Sequence, residues 1–153
     1  MTVASVMTEA VVADTAEDTV AEASAKMFQQ QTGSLLVVDG DRLVGIFTER
    51  DLMKVVARGG DPKLVQLKDV MRTELVTVTP DTRLRACARI MADNWIRHLP
   101  VLDGERVVGM ISQRDLIGVF AQALDEPERM ELLSQGELVR ARRIMRIEAG
   151  DLD

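Results

Sequence analysis

The chain repeats itself. Residues 6–53 align without a gap to residues 70–117, at a constant offset of 64, and 15 of the 48 paired positions are identical. The identities are clustered. They fall in Val-Met (6–7 and 70–71), in VVDGDRLVG (37–45) against VLDGERVVG (101–109), and in Arg-Asp-Leu (50–52 and 114–116). A fixed period of this kind marks one supersecondary unit used twice, so any fold proposed for the chain must build from that unit.

Each copy has the same layout. An extended stretch (EAVVAD, ELVTVTP) leads into a segment with helical apolar spacing: Val20, Ala23, Ser24, Met27 and Phe28 in the first copy, and Leu84, Cys87, Ala88 and Met91 in the second. Two apolar runs follow, SLLVV and LVGIF in the first copy, HLPVL and VVGMI in the second. Between them lie Asp39-Gly40 and Asp103-Gly104, the chemistry of a hairpin turn. A second helix is expected from Thr48 or Ser112, carrying Leu52, Met53, Val55 and Val56, or Leu116, Ile117, Val119 and Phe120. The predicted unit is β-α-β-β-α, and the fold class is α+β (α/β). A unit of about 50 residues covers its own sheet poorly, so the two copies are expected to pack sheet to sheet with pseudo-two-fold symmetry.

The expected boundaries are a first repeat over 3–60, a linker over 61–69, a second repeat over 70–124, and a C-terminal extension over 125–153. Gly59-Gly60 stops a helix and Asp61-Pro62 starts a turn at the joint. The extension places Glu126, Glu128 and Glu131 before Arg140, Arg142, Arg143 and Arg146, the order that complements a helix dipole. A helix is therefore expected there, packed on this chain or on a second subunit.

Charge and composition remove several function classes. The net charge of −6 comes with basic residues scattered among acids, so no stripe is available to neutralise a nucleic-acid backbone. The apolar runs are too short for a membrane span, and no charged-then-apolar leader is recognised, so a cytoplasmic protein is expected. One histidine and the single Cys87 make neither a zinc site nor a disulfide, and Cys87 lies on the apolar face of its helix. No phosphate loop, Gly-x-Ser-x-Gly elbow or paired nucleophile and base is present. No enzyme and no metal centre are expected.

What recurs is GIFTERD (45–51) and GMISQRD (109–115). A Ser/Thr followed three residues later by an acid is a helix-capping pattern, which accounts for Thr48, Asp51, Ser112 and Asp115. Capping does not account for Arg50 and Arg114, cations placed at the positive end of a helix. A bound nucleotide would account for both. The acids would take ribose hydroxyls, while the hydroxyls, the helix N-termini and the arginines would face phosphate. Both readings stand on the residues alone.

The combination of VTVTPDT (76–82), RHLPVLDG (97–104) and GMISQRDL (109–116), given twice, resembles a tandem pair of cystathionine-β-synthase (CBS) domains, a Bateman module, over about residues 3–124. The resemblance implies two clefts that bind adenosine-containing ligands such as AMP, ADP, ATP, NAD or S-adenosylmethionine. It also implies regulation of a partner protein and assembly as a homodimer. By matching position it gives Asp51 and Asp115 the ribose, and Thr48 and Ser112 the neighbourhood of ribose and phosphate. Arg97 and His98 precede the Leu-Pro-Val strand that contains Pro100, where the first copy has Gly33 and Ser34. The two clefts are therefore expected to be unequal, with Arg97 and His98 favouring the more highly charged end of a ligand. Trp95 is expected to pack at a helix end.

Overall fold

A computed structural model describes residues 1–123. The expected C-terminal helix over 125–147 lies outside the described residues. Met1–Leu116 forms one compact unit, which holds the first repeat and the second as far as Leu116.

The first repeat runs through β1 (Ala13–Asp14), α1 (Val20–Gln29), β2 (Ser34–Asp39), β3 (Arg42–Thr48) and α2 (Glu49–Ala57). The second runs through α3 (Leu84–Asn94), β4 (His98–Asp103), β5 (Arg106–Ser112) and α4 (Gln113–Ala123). In place of β1 it has a single parallel bridge between Val78 and Val101. Strand order is β1-β2-β3-β5-β4. The two hairpins meet where Arg42 pairs with Arg106, residues related by the offset of 64, so the pseudo-two-fold axis passes between them.

Local chemistry explains the hairpins. Gly40 and Gly104 take positive φ (60° and 63°) at the first of two turn residues, a conformation glycine adopts without a steric penalty. In each hairpin the register slips by one residue just before Val38 and Leu102, leaving Val44 and Val108 as bulges beside Gly45 and Gly109. Leu35, Leu36 and Val37 are all buried, as their continuous apolar run requires.

The sequence does not reveal that the repeats exchange their leading segments. Val3 and Ala4 donate to Thr82 O and Pro80 O in the second repeat, and Leu67 and Lys68 donate to Asp18 O and Ala16 O in the first. Thr8 bridges Met110, and Arg72 bridges Ile46. Each bond has its counterpart 64 residues away. Leu67 is fully buried and packs with Val20, Ala23, Met27, Leu35, Val37, Phe47 and Val55, so the core of the first repeat is completed by a residue that precedes the second.

The crossing explains two clusters of identity. A Cβ on Gly45 would lie 2.5 Å from Met71 Sδ, and one on Gly109 would lie 2.9 Å from Met7 Sδ. Each Val-Met methionine therefore sits over the glycine of the other repeat.

Helix α1 buries Val20, Ala23 and Met27, and α3 buries Leu84, Cys87 and Met91. Burial raises the pKa of the Cys87 thiol and keeps it in the inert form. Four expected core residues are instead exposed: Phe28 at 86%, Met53 at 64%, Val56 at 60% and Ile117 at 59%. They lie at the edges of their apolar arcs, where helical spacing does not distinguish a residue facing its own sheet from one facing outward.

Candidate functional site

Strand β3 runs directly into α2, with Thr48 as the residue between them. Arg50 is in the first turn of α2. The leading segment of the second repeat crosses β3 at Ile46, bringing Arg72, Glu74, Leu75 and Val76 alongside. Helix α3 ends at Trp95, whose left-handed backbone (φ 55°) turns the chain toward β4 and presents Ile96, Arg97 and His98. These three pieces enclose a cleft of about 650 Å³, including its open mouth.

Of the residues singled out in the sequence, the cleft gathers Thr48 and Arg50 from the first repeat with Arg97, His98 and Pro100 from the second. Asp51, 6% exposed, is not among its lining residues and lines a separate surface cleft with Lys54, Arg58 and Asp69. Ser34, Ser112, Arg114 and Asp115 line neither cleft. Ser34 pairs with Thr48 across the first hairpin, and its Oγ is buried with no hydrogen-bond partner among the described residues. His98 pairs with Ser112 across the second hairpin.

The capping bonds are made. Thr48 donates its backbone N–H (2.9 Å) and hydroxyl (2.8 Å) to Asp51 Oδ2. Ser112 donates its N–H and hydroxyl to Asp115 Oδ2, both at 2.7 Å, and its Oγ accepts the Asp115 N–H at 3.3 Å. In both repeats the cap uses one carboxylate oxygen only. Oδ1 of Asp51 and of Asp115 makes no hydrogen bond among the described residues and keeps its acceptor capacity.

Three arginines (Arg50, Arg72 and Arg97) and Glu74 line the cleft. Burial lowers the pKa of His98, and Arg97 and Arg114 act in the same direction against Glu49 and Asp115. The imidazole is therefore neutral at pH 7 and offers one donor and one acceptor. At the positions 64 residues earlier, Arg72, Glu74, Trp95, Arg97 and His98 are replaced by Thr8, Ala10, Gln31, Gly33 and Ser34.

Arg72, Glu74 and the cleft-wall position of Trp95 were not anticipated. A usable signal existed, because charged-for-neutral differences between the copies cluster at these positions. Among the described residues no group of three or more His, Cys, Asp or Glu is arranged for a metal. No described helix is long and apolar enough to cross a membrane.

The family model for the CBS domain matches residues 3–58 and again 67–122. The chain belongs to the CBS-domain family. A mitochondrial CBS domain-containing protein of Arabidopsis thaliana, CBSX3, is 37% identical over 129 residues, which is 80% of this chain and 63% of the relative. The chain thus spans less than two thirds of that relative's length. The crystal structure of the CBS-domain protein NE2398 superposes with a TM-score of 0.76 at 32% identity, covering 79% of this chain and 98% of that one. The CBS domain pair of MJ0100, solved in complex with 5′-methylthioadenosine and S-adenosyl-L-methionine, shares the fold with a TM-score of 0.76 at 23% identity. It covers 81% of this chain and 98% of that one. CBS pairs of this kind are regulatory modules, and some of them bind adenosine-containing ligands.

Proposed function

We propose that this chain is a regulatory sensor that binds an adenosine-containing ligand (AMP, ADP, ATP, NAD or S-adenosylmethionine) and acts on a partner protein through a change of shape or assembly, without catalysis. One observation carries the reading. Arg50 beside Thr48 in the first repeat, and Arg72, Arg97 and His98 in the second, converge on one cleft whose remaining wall is Ile46, Val76, Ile96 and Pro100. An apolar wall suits a base, and arginines beside a helix N-terminus suit phosphate. The free Oδ1 of Asp51, whose other oxygen is bonded to the cleft residue Thr48, suits a ribose hydroxyl. We place the protein in the cytoplasm and read it as a homodimer, since Phe28, Met53 and Val56 leave apolar surface on the adjacent helices α1 and α2.

A competing reading, a ligand-free interaction module, is favoured by the complete capping bonds in both repeats. Titration separates the two. Trp95, the only tryptophan, lines the cleft and reports binding by fluorescence. One of the five ligands is expected to change that signal and raise the melting temperature, with about 2.7 kcal/mol of stabilisation at a hundredfold excess over Kd. Asp51→Ala is expected to weaken binding about tenfold or more, as loss of a charge-assisted bond implies. No response to any of the five at millimolar concentration leaves the interaction module as the answer. Light scattering tests the dimer: Met53→Glu with Val56→Glu is expected to give a monomer.

A further inference from the structure

Glu49, the first residue of α2, was not anticipated in any role. Its Oε2 lies 3.5 Å from Arg97 Nη2, joining the two repeats at the edge of the arginine-lined cleft. Space for it is made by Gly33, where an added Cβ would lie 3.2 Å from the carboxyl group. Arg97 occupies the position equivalent to Gly33, and Gln113 the position equivalent to Glu49. The acid and the room for it therefore occur on the side of the molecule where the three arginines gather, and the equivalent position has a neutral amide.

We infer that Glu49 is a competing counter-ion that limits how much negative charge the cleft accepts. The inference rests on the proposal that the cleft takes an adenosine nucleotide. Arg50, Arg72, Arg97 and Glu74 line the cleft and Glu49 pairs with Arg97 at its edge, a formal balance of one positive charge beside a neutral His98. A phosphate reaching Arg97 must share it with Glu49 or displace Glu49. One phosphate group can do so against the remaining arginines. Each further phosphate adds repulsion from a carboxylate that stays in the cleft rim. Glu49 and Arg97 are both more than half exposed, so the pair exchanges partners readily and water moderates the effect. A unit charge at about 4–8 Å in water changes affinity roughly two- to fivefold per ligand charge, so the selection should be graded rather than absolute.

The test is calorimetric titration with adenosine, AMP and metal-free ATP at low salt, on the wild type, Glu49→Gln, Arg97→Met and the double variant. Wild type is expected to prefer AMP to ATP. Glu49→Gln is expected to leave adenosine unchanged, tighten AMP, and tighten ATP further, lowering the ratio of ATP to AMP dissociation constants about three- to tenfold. In the Arg97→Met background the same substitution should move that ratio much less, and 300 mM salt should shrink every effect. An unchanged ratio in Glu49→Gln, or an equal change in both backgrounds, overturns the role of Glu49 while the nucleotide reading stands. Absence of binding to all three probes overturns the role of Glu49, and absence of a response to all five ligands named above overturns the reading it rests on. Melting temperatures within about 2 °C of wild type are expected for Glu49→Gln, a substitution at an exposed first-turn position that costs only tenths of a kcal/mol.

Discussion

Replacing Gly109 with alanine tests whether the exchanged segments hold the two repeats together. The added Cβ would lie 2.9 Å from Met7 Sδ, 3.2 Å from Met7 Cγ and 3.0 Å from Thr8 O. The thioether can rotate away, because methionine is flexible. The carbonyl cannot move freely, since Thr8 and Met110 exchange backbone bonds at 2.9 Å in both directions. Overpacking of this kind costs about 1–3 kcal/mol, and alanine returns about 0.4–1 kcal/mol by restricting the unfolded chain at a position without positive φ. A net loss of about 1–2 kcal/mol is expected. Gly45→Ala should cost less, because its nearest backbone atom, Arg72 O, is 3.3 Å away and its closer contacts, Met71 Sδ at 2.5 Å and Cγ at 2.9 Å, belong to a flexible side chain that can turn aside. Urea unfolding followed by circular dichroism gives the difference from the midpoint at constant slope. Met7→Ala combined with Gly109→Ala should be less costly than the sum of the single changes by about 0.5 kcal/mol or more. Strict additivity, or a Gly109→Ala protein as stable as wild type, would refute the claim that the methionine and carbonyl of one repeat seat on the glycine of the other.

Two further outcomes follow from unequal solutions at equivalent positions. Lys26 pairs with the buried Asp14 in the first repeat, and Asp14 Oδ2 has no hydrogen-bond partner among the described residues. The second repeat has Val78 and Ile90 at those positions. Lys26→Ile alone should cost about 1–3 kcal/mol by leaving the carboxylate unpaired, whereas Lys26→Ile with Asp14→Val should be neutral or stabilising in thermal unfolding. A double variant less stable than the single one would show that the pair is favourable in its own right. His98 gives a pH signature. Because its folded pKa is lowered, its contribution is complete above the unfolded value near 6.5 and is lost as pH falls through the folded value. His98→Gln should flatten the acid-side fall in stability below pH 6.5, and an unchanged slope would place that fall on other groups.

Much of the fold was legible in the sequence because its strongest signals are local. The two glycine turns, the starts of α2 and α4 after Thr48 and Ser112, and the buried Leu35-Leu36-Val37 run each depend on a few adjacent residues. The exchange was not legible. Whether Leu67 completes its own repeat or the other is a choice between contacts at different sequence separations, and apolar periodicity is the same for both. The outward-facing Phe28, Met53, Val56 and Ile117 were missed for a related reason, since an apolar arc does not specify which of its neighbours covers each edge. At the candidate site, Thr48, Arg50, Arg97 and His98 stood out by type. Arg72, Glu74 and Glu49 did not, because they reach the cleft only through the crossing of one repeat over the other.

The crossing also explains how a duplicated unit can carry unequal sites without losing its symmetry. Where one repeat closely approaches the other the copies agree, at Met7 and Met71, Gly45 and Gly109, and Arg42 and Arg106, whereas positions that cross through backbone bonds, Val3 and Leu67 or Thr8 and Arg72, are free to differ. A change at any of the matched positions would disturb a contact that the opposite repeat must match. Residues facing the cleft bear no such constraint, since they meet solvent or a ligand, and here the copies diverge from Thr8 to Arg72, Ala10 to Glu74, Gly33 to Arg97 and Glu49 to Gln113. These differences do not accumulate independently. Three arginines facing each other in one cleft would repel, and the two acids that moderate them, Glu74 and Glu49, come from opposite repeats. The charge balance of the cleft is therefore a property of the pair, and substitutions on either side of the crossing should couple in binding while those in the separate repeat cores remain additive.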